Sequence, residues 1–210
     1  MPLICPTILA HSSTEYAIQM SRVKTFAKRL QIDLSDGIFT PKATVSLNQV
    51  SWPKTIKADL HLMYKNPTRH MRAIVKLKPH LVIVHAESEG DFLIFAKILH
   101  GMGIKVGVAL LPDTPATAIQ YALHQIDHVM IFSGQLGKFG GTADLDLLVK
   151  AQALKHLKNS LEIGWDGGVN QHNVHLLAAG GVDVLNVGSA IQKAAKPAEA
   201  YATMKALLGK

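Results

Sequence analysis

The sequence has little cysteine and no long apolar stretch, and each shortage excludes a class of protein. Cys5 is the single cysteine of the 210 residues, so no internal disulfide can form and a buried thiol is expected. No apolar stretch approaches the ~20 residues of a membrane span. The apolar start of the chain lacks a basic segment and is broken by Pro6, unlike a signal peptide. We therefore expect a cytoplasmic protein without a membrane partner.

Runs of lysine and arginine are also missing, although the formal net charge is +7. Such a charge is compatible with a nucleic-acid surface or with an anionic small molecule. Aromatic residues make up only 6% of the chain and do not alternate with basic ones, so no nucleic-acid partner is predicted. An anionic small-molecule ligand stays compatible with the composition.

Hydrophobic residues, in contrast, make up 48% of the chain, which is enough for a substantial core. Short apolar runs rich in β-branched residues alternate with helix-patterned segments, as in parallel βα units. The eight runs are residues 3–9, 30–34, 58–63, 81–85, 105–110, 128–132, 161–165 and 182–187. This pattern predicts an α/β fold, a TIM (β/α)₈ barrel in a single domain over residues 1–210. An open doubly wound sheet is the alternative, but its glycine-rich turn would come early, whereas here such turns come late.

Polar residues close several of the runs, and in a barrel the ends of the strands meet. Gln31, Asp33 and Ser35 share one face of the second run because side chains alternate with a two-residue period. His61 lies near the end of the third run, and Asp166 follows the seventh. One such residue alone is most often a hydrogen-bonded core group or a helix cap. Their joint placement at comparable strand ends favours a site.

Three late turns carry glycines, and together they predict a phosphate cradle. Glycine lets the backbone approach an anion closely, and the start of a following helix offers free N–H groups. Each turn alone is weak support, since turns need glycine anyway. The turns are Lys138-Phe139-Gly140-Gly141, Asp166-Gly167-Gly168 and Gly188-Ser189-Ala190.

Short motifs spread along the whole chain resemble the ribulose-phosphate 3-epimerase family. The family's opening Ser-Pro-Ser-Ile-Leu is similar to residues 5–9, and its Asp-x-Met-Asp-Gly-x-Phe-Val-Pro loop is similar to residues 33–41. Further matches follow in family order: Asp59-Leu60-His61-Leu62-Met63, Asn66-Pro67, Val84-His85-Ala86-Glu87, Gly107-Val108-Ala109-Leu110, Thr114-Pro115, Phe139-Gly140-Gly141, Asp166-Gly167-Gly168-Val169-Asn170 and Gly188-Ser189-Ala190-Ile191.

The resemblance implies an isomerase that epimerises a keto-pentose phosphate at C3, interconverting D-ribulose 5-phosphate and D-xylulose 5-phosphate. Asp33 and Asp166 match the two aspartates that move the proton on opposite faces of the substrate. A divalent metal (Zn, Fe, Mn or Mg) would be held by these aspartates and His61. Gln31 stands where a second histidine ligand is expected, which puts the metal in question. Relatives assemble as homo-oligomers, so self-association is expected.

By the same resemblance, a set of residues would bind the phosphorylated keto-sugar. It consists of Thr7, His61, Met63, Phe139, Gly140, Gly141, Gly167, Gly168, Gly188 and Ser189. Ser35 and Ser133 occupy positions where the family usually has methionines, so a more polar pocket is expected. Lys138 would either bind the phosphate or point into solvent.

Two alternatives stay open beside the epimerase. A non-catalytic phosphosugar-binding barrel would account for the altered ligand at Gln31, but has no evident use for two aspartates. A decarboxylase or aldol-type lyase would need a lysine near the reacting carbon, and Lys138 is the only candidate. His85, at the end of the fourth run, is either a pocket residue or a structural hydrogen-bonding group.

Overall fold

A computed structural model describes residues 1–138 and 140–208. Each strand pairs in parallel with the next, and β8 closes on β1, so the TIM-barrel prediction is confirmed. The strands are β1 (Leu3–Leu9), β2 (Arg29–Ser35), β3 (Lys57–Met63), β4 (Leu81–His85), β5 (Lys105–Leu110), β6 (His128–Phe132), β7 (Glu162–Asp166) and β8 (Val184–Val187).

Helices cover the outside of the barrel. They are α1 (Ser13–Val23), α2 (Met71–Leu77), α3 (Phe92–Gly101), α4 (Leu148–Leu157), α5 (Val174–Ala179), α6 (Ser189–Gln192) and α7 (Pro197–Leu207). Between β5 and β6 the chain forms a 3₁₀ helix, Ala116–Gln125. Side-chain caps fix two helix starts, because Ser12 accepts from the Glu15 N–H and Asp91 accepts from the Ile94 N–H. Within the described ranges, no helix is long and apolar enough to cross a membrane.

The predicted strand bounds differ from the observed ones by one or two residues in four strands. Strand β2 extends one residue further at each end than predicted, and β3 begins one residue earlier. Strand β7 lies one residue later than predicted, so Asp166 is its last residue rather than the first of the loop. Strand β8 begins two residues later than predicted, at Val184. Asp183 explains this delay: its carboxylate accepts hydrogen bonds from the Ile163 N–H and the Lys155 ammonium, which keep it beside β7.

Charged residues fill the end of the barrel where the strands begin. Arg29 on β2 lies 2.6 Å from Asp59 on β3 and forms two bonds of 2.8 Å to Glu162 on β7. His128 Nδ1 on β6 lies 2.8 Å from the same Glu162 carboxylate. Burial of these charges is tolerable because each is paired, and the cluster ties together four strands.

An apolar layer separates this charged cluster from the opposite end of the barrel. It is formed by Leu81, Ile83, Ala109, Met130 and Phe132. A much larger apolar cluster lies outside the barrel, between the outward side chains of the strands and the helices. The barrel therefore holds its remaining inward polar groups at the C-terminal ends of the strands, where the site residues were predicted.

Candidate active site

Two carboxylates, one buried and one mostly buried, lie close together at the C-terminal end of the barrel. Asp33 comes from β2 and Asp166 from β7, and the side-chain amide of Gln31 lies between them. Gln31 Nε2 donates to Asp33 Oδ1 at 2.8 Å and to Asp166 Oδ2 at 2.5 Å. One NH₂ group therefore satisfies both carboxylates, which come from residues far apart in the sequence.

His61 on β3 completes the cluster. Its Nδ1 lies 2.9 Å from Asp33 Oδ1 and 3.9 Å from Asp166 Oδ2. The register of the sheet explains this placement, because Asp33 and His61 are paired residues of neighbouring strands and paired side chains point to the same face. The structure thus brings together Asp33, His61 and Asp166, three groups that the sequence places at strand ends.

Burial shifts the titration of all three groups. It raises the pKa of Asp33 to about 7, against the Gln31 hydrogen bond, and it raises the pKa of Asp166 to about 7, with added repulsion from Asp33. Burial lowers the pKa of His61 to about 4. The imidazole is therefore neutral at neutral pH, while each of the two carboxyl groups is partly protonated there. A carboxylic acid and a carboxylate side by side near pH 7 can give and take protons.

The donor set fits a divalent cation. Asp33, His61 and Asp166 each offer an atom, and these atoms all lie within 4.8 Å of one another. A divalent metal binds such oxygens and nitrogens at about 2.0–2.2 Å, so a small inward movement is enough for one ion to reach all three. Two carboxylates suit a hard ion such as Mg²⁺ or Mn²⁺ better than they suit Zn²⁺, and the single imidazole is a ligand that Mn²⁺ or Fe²⁺ can also take.

The Gln31 amide turns its nitrogen, and not its oxygen, toward the two carboxylates. The nitrogen is a hydrogen-bond donor, whereas only the oxygen could bind a cation. The oxygen, Oε1, is buried and has no hydrogen-bond partner among residues 1–138 and 140–208. As placed, the amide stands in for a cation between the two carboxylates, and it would have to turn over to become a ligand.

A pocket opens above these groups, and most of the predicted substrate-binding residues line it. Its wall includes Thr7, Asp33, His61, Met63, Gly140, Asp166, Gly167, Gly168, Gly188 and Ser189. Lys138 also lines the pocket, with its ammonium 3.1 Å from Gln135 Oε1. Gly141 is not part of the wall and faces open space. Phe139 lies outside the described residues.

Two buried polar side chains in this wall have free acceptor atoms. Thr7 Oγ1 on β1 and Asn186 Oδ1 on β8 have no hydrogen-bond partner within the described part of the chain. Asn186 is not among the site residues predicted from the sequence, although a signal was present: it is a polar residue near the end of the apolar run 182–187. Its register partner on β7 is Asp166, so it lies directly beside a proposed catalytic group.

Ser35 and Ser133 do not make the pocket more polar, which corrects that expectation. Neither serine is in the pocket wall. The Ser35 hydroxyl bonds to Thr40 Oγ1 at 2.6 Å, and the Ser133 hydroxyl accepts from the Asp144 N–H at 2.7 Å. Both hydroxyls therefore fix the loops that follow β2 and β6.

The loop after β7 requires glycine for structural reasons, apart from any role in phosphate binding. Gly167 and Gly168 have φ of +115° and +71°, which side chains rarely allow. A Cβ at Gly167 would overlap the Gly134 backbone, and one at Gly168 would overlap the Ala143 backbone. These glycines are needed because the loop after β6 passes directly over them.

Comparison with known proteins finds relatives of one family along nearly the whole chain. The ribulose-phosphate 3-epimerase family model matches residues 3–192. Ribulose-phosphate 3-epimerase of Helicobacter pylori is 31% identical over 198 residues, which cover 90% of each protein. The enzyme of that name from Mycobacterium bovis is 31% identical and covers 99% of this chain and 93% of its own.

This chain belongs to the ribulose-phosphate 3-epimerase family. Solved structures of other barrels resemble it in fold alone. A 3-hexulose-6-phosphate synthase from Salmonella typhimurium superposes with a TM-score of 0.73 at 18% identity, over 99% of this chain and 98% of the other. A 3-keto-L-gulonate-6-phosphate decarboxylase from Vibrio cholerae gives 0.75 at 13% identity, over 99% and 97%. The family model and the curated relatives confirm the family resemblance that the motifs indicate.

Proposed function

We propose that this protein epimerises a keto-pentose phosphate at C3, interconverting D-ribulose 5-phosphate and D-xylulose 5-phosphate. The observation that carries the proposal is the pair of carboxylates, Asp33 from β2 and Asp166 from β7, that line one pocket with their oxygens close together. Epimerisation needs one group to remove a proton from one face of the carbon and another to return a proton to the opposite face. Family membership supports the same reaction.

In this mechanism, one carboxylate is ionised and the other carries a proton when the substrate binds. The ionised carboxylate takes the C3 proton, and the electrons of that C–H bond form the enediolate with the neighbouring carbonyl. The protonated carboxylic acid then gives its proton to C3 from the opposite face, which inverts that centre. Burial raises the pKa of both Asp33 and Asp166 to about 7. Each residue can therefore act as acid or as base, and the two exchange roles in the reverse reaction.

The proposed metal ligands are Asp33, His61 and Asp166, in keeping with their fit to a divalent cation. When bound, the cation supplies positive charge that stabilises the developing enediolate oxygens. The chain's own donors, chiefly the Gln31 amide, orient both carboxylates toward the pocket. Neutral His61 cannot compete with the aspartates for the substrate proton, because burial lowers its pKa to about 4.

The substrate's phosphate would lie against the glycine loops at the pocket rim. Gly140, Gly188 and Ser189 lie together there, since Ser189 Oγ is 3.9 Å from the position of a Cβ on Gly140. Lys138 adds a positive charge to the same wall. Thr7 and Asn186, with their free acceptor atoms, are proposed to receive hydrogen bonds from the sugar hydroxyls.

Solvent exchange tests the proposal. The wild-type protein in D₂O should incorporate deuterium at C3 of D-ribulose 5-phosphate and form D-xylulose 5-phosphate. Asp33→Asn and Asp166→Asn should each abolish exchange and leave phosphosugar binding within about tenfold, because the proton-carrying group is lost with its volume kept. Binding without exchange would indicate the phosphosugar-binding alternative. Loss of carbon from the substrate would indicate a lyase.

A further inference from the structure

A cleft of about 540 Å³ opens at the end of the barrel where the strands begin, opposite the candidate active site. It lies between the loop before β3, the start of β3 and the end of α2. Its volume is in the range of small-molecule sites. Four of its ten lining residues are lysines, and none of the ten is acidic. We call it the basic cleft, and its lysines are Lys54, Lys57, Lys76 and Lys78.

The charges of these four lysines are not balanced by acidic partners. All four side chains are exposed, and in the part of the chain that the structure describes they form no ion pair. Lysine ion pairs there belong to Lys65, Lys155 and Lys196. The C-terminal end of α2 offers only about half a negative charge, which cannot neutralise four ammonium groups. Like charges around one cavity repel each other and attract anions, so an anion in the basic cleft would stabilise it.

His80, in the same wall, indicates the sign of the potential there. It is half-buried, and burial together with the charges of Arg29, Lys57 and Lys105 lowers its pKa to about 4. Glu162 acts in the opposite direction, but its effect is smaller. Positive groups therefore outweigh the acidic one at this position.

Lys78 has a backbone conformation that favours glycine. Its φ is +51°, and no other residue except glycine has a positive φ among the described residues. It caps the end of α2, a position that glycine often occupies because a left-handed backbone costs free energy for a residue with a Cβ. Strained residues cluster at ligand-binding sites, so a lysine here favours a use for its side chain.

Trp52 adds an aromatic surface to the basic cleft. The indole is half-buried, because it packs against the main apolar core and also lines the cleft. Nucleic-acid bases stack on such a side chain whatever their hydrogen-bonding pattern. Lysine ammonium groups bind phosphate oxygens as point charges. The basic cleft thus offers separate partners for a ring and for several phosphates.

We propose that the basic cleft binds a nucleoside triphosphate, with its base against Trp52 and its phosphates among the four lysines. A single phosphate would leave most of the positive charge unbalanced, and a ligand without a ring would leave the indole without a partner. This binding site is separate from the carboxylates at the other end of the barrel, so the proposal does not rest on the proposed function.

Tryptophan fluorescence tests the proposal without turnover. Trp52 and Trp165 are the two tryptophans of the chain, and Trp165 is fully buried. Magnesium-free ATP should therefore quench the emission of Trp52 in a saturable way. Lys76→Gln combined with Lys78→Gly should weaken ATP binding by about tenfold or more, because two charged contacts are lost. Glycine suits the backbone at position 78, so this variant should melt no lower than the wild type.

A matched control removes the same number of charges elsewhere. Lys97→Gln combined with Lys205→Gln changes two exposed lysines, on α3 and α7, that do not line the basic cleft. ATP binding should stay within about twofold of the wild type, because the net charge alone does not create the site.

Calorimetry separates the ring from the phosphates. Tripolyphosphate should bind about tenfold more weakly than ATP, because it has no base to stack on Trp52, and inorganic phosphate should bind more weakly still. Trp52→Leu should lower the affinity for ATP to that for tripolyphosphate.

Several results would overturn the proposal. One is an ATP titration that leaves both the emission and the heat of the wild type unchanged. Equal weakening by the two double variants would mean a general attraction to a basic surface, and displacement of ATP by D-ribulose 5-phosphate would place ATP at the opposite end of the barrel. Equal affinities for ATP and tripolyphosphate would refute the contact with Trp52. Absence of C3 exchange, with ATP bound as expected, would overturn the epimerase proposal and leave this site standing.

Discussion

Replacing Gln31 by histidine should lower the stability of the metal-free protein and raise its affinity for metal. The wild-type amide donates to both Asp33 and Asp166, whereas a neutral imidazole can present only one N–H to them. One hydrogen bond to a charged group is worth about 1.5–3 kcal/mol. At about 2–4 °C per kcal/mol for a chain of this size, metal-free Gln31→His should melt roughly 3–12 °C lower.

With metal the order should reverse. The new imidazole adds a fourth ligand to Asp33, His61 and Asp166, so Zn²⁺ or Fe²⁺ should bind more tightly, with unchanged or raised epimerase turnover. The wild type as purified should hold little zinc and favour harder ions such as Mg²⁺ or Mn²⁺.

Thermal melts in chelator and in Zn²⁺, with metal analysis and C3 exchange, provide the assay. Gln31→Leu is the matched control, since it loses the amide bonds but gains no ligand: it should melt lower in chelator and show no rescue by zinc. Stoichiometric zinc in the purified wild type, or no gain in zinc affinity in Gln31→His, would refute this reasoning about position 31.

Three further predictions concern other parts of the barrel. Lys138→Ala should weaken phosphorylated ligands by about tenfold but leave unphosphorylated sugars unaffected, as measured by calorimetry; equal losses for both would argue against a phosphate contact. Arg29→Met removes the charged partner of buried Asp59 and two hydrogen bonds of Glu162, which keeps only its contact with His128. It should cost about 3–5 kcal/mol, measured by denaturant unfolding, with turnover kept within about threefold; a change under 1 kcal/mol would contradict the cluster's structural role. Hydrogen bonds from Arg29 and His128 outweigh burial, which acts in the opposite direction, and lower the pKa of Glu162. The stability that this carboxylate contributes is therefore present above its unfolded pKa of about 4.3 and is lost as the pH falls from there through the folded pKa. Glu162→Gln should therefore flatten the acid side of the stability profile, and an unchanged slope between pH 5 and 3 would count against this.

Much of the site could be predicted because a parallel barrel brings all strand ends to one rim. The two-residue period identifies which side chains face inward, and the run lengths fix which residue ends each strand. Asp33, His61 and Asp166 follow from these rules alone. Their roles as acid, base and ligands stay predictions, as do the single domain, the homo-oligomer and the cytoplasmic location.

Other features depended on which groups meet across the barrel. The Gln31 amide lies beside Asp166, a residue 135 positions away, and no spacing in the sequence reveals which end of the amide faces it. His85 on β4 lies 2.8 Å from His61, a contact between neighbouring strands that no spacing in the sequence reveals. Asn186 is an isolated polar residue in an apolar run until β8 is placed beside β7.

By itself, the sequence determined the eight strands to within one or two residues, the family and most of the polar residues near the strand ends, because alternation and turn chemistry are local properties of the chain. The tertiary structure decided the direction of each hydrogen bond among those residues. Donors and acceptors from four different strands meet inside one barrel, and each side chain's orientation depends on what its distant partners can accept.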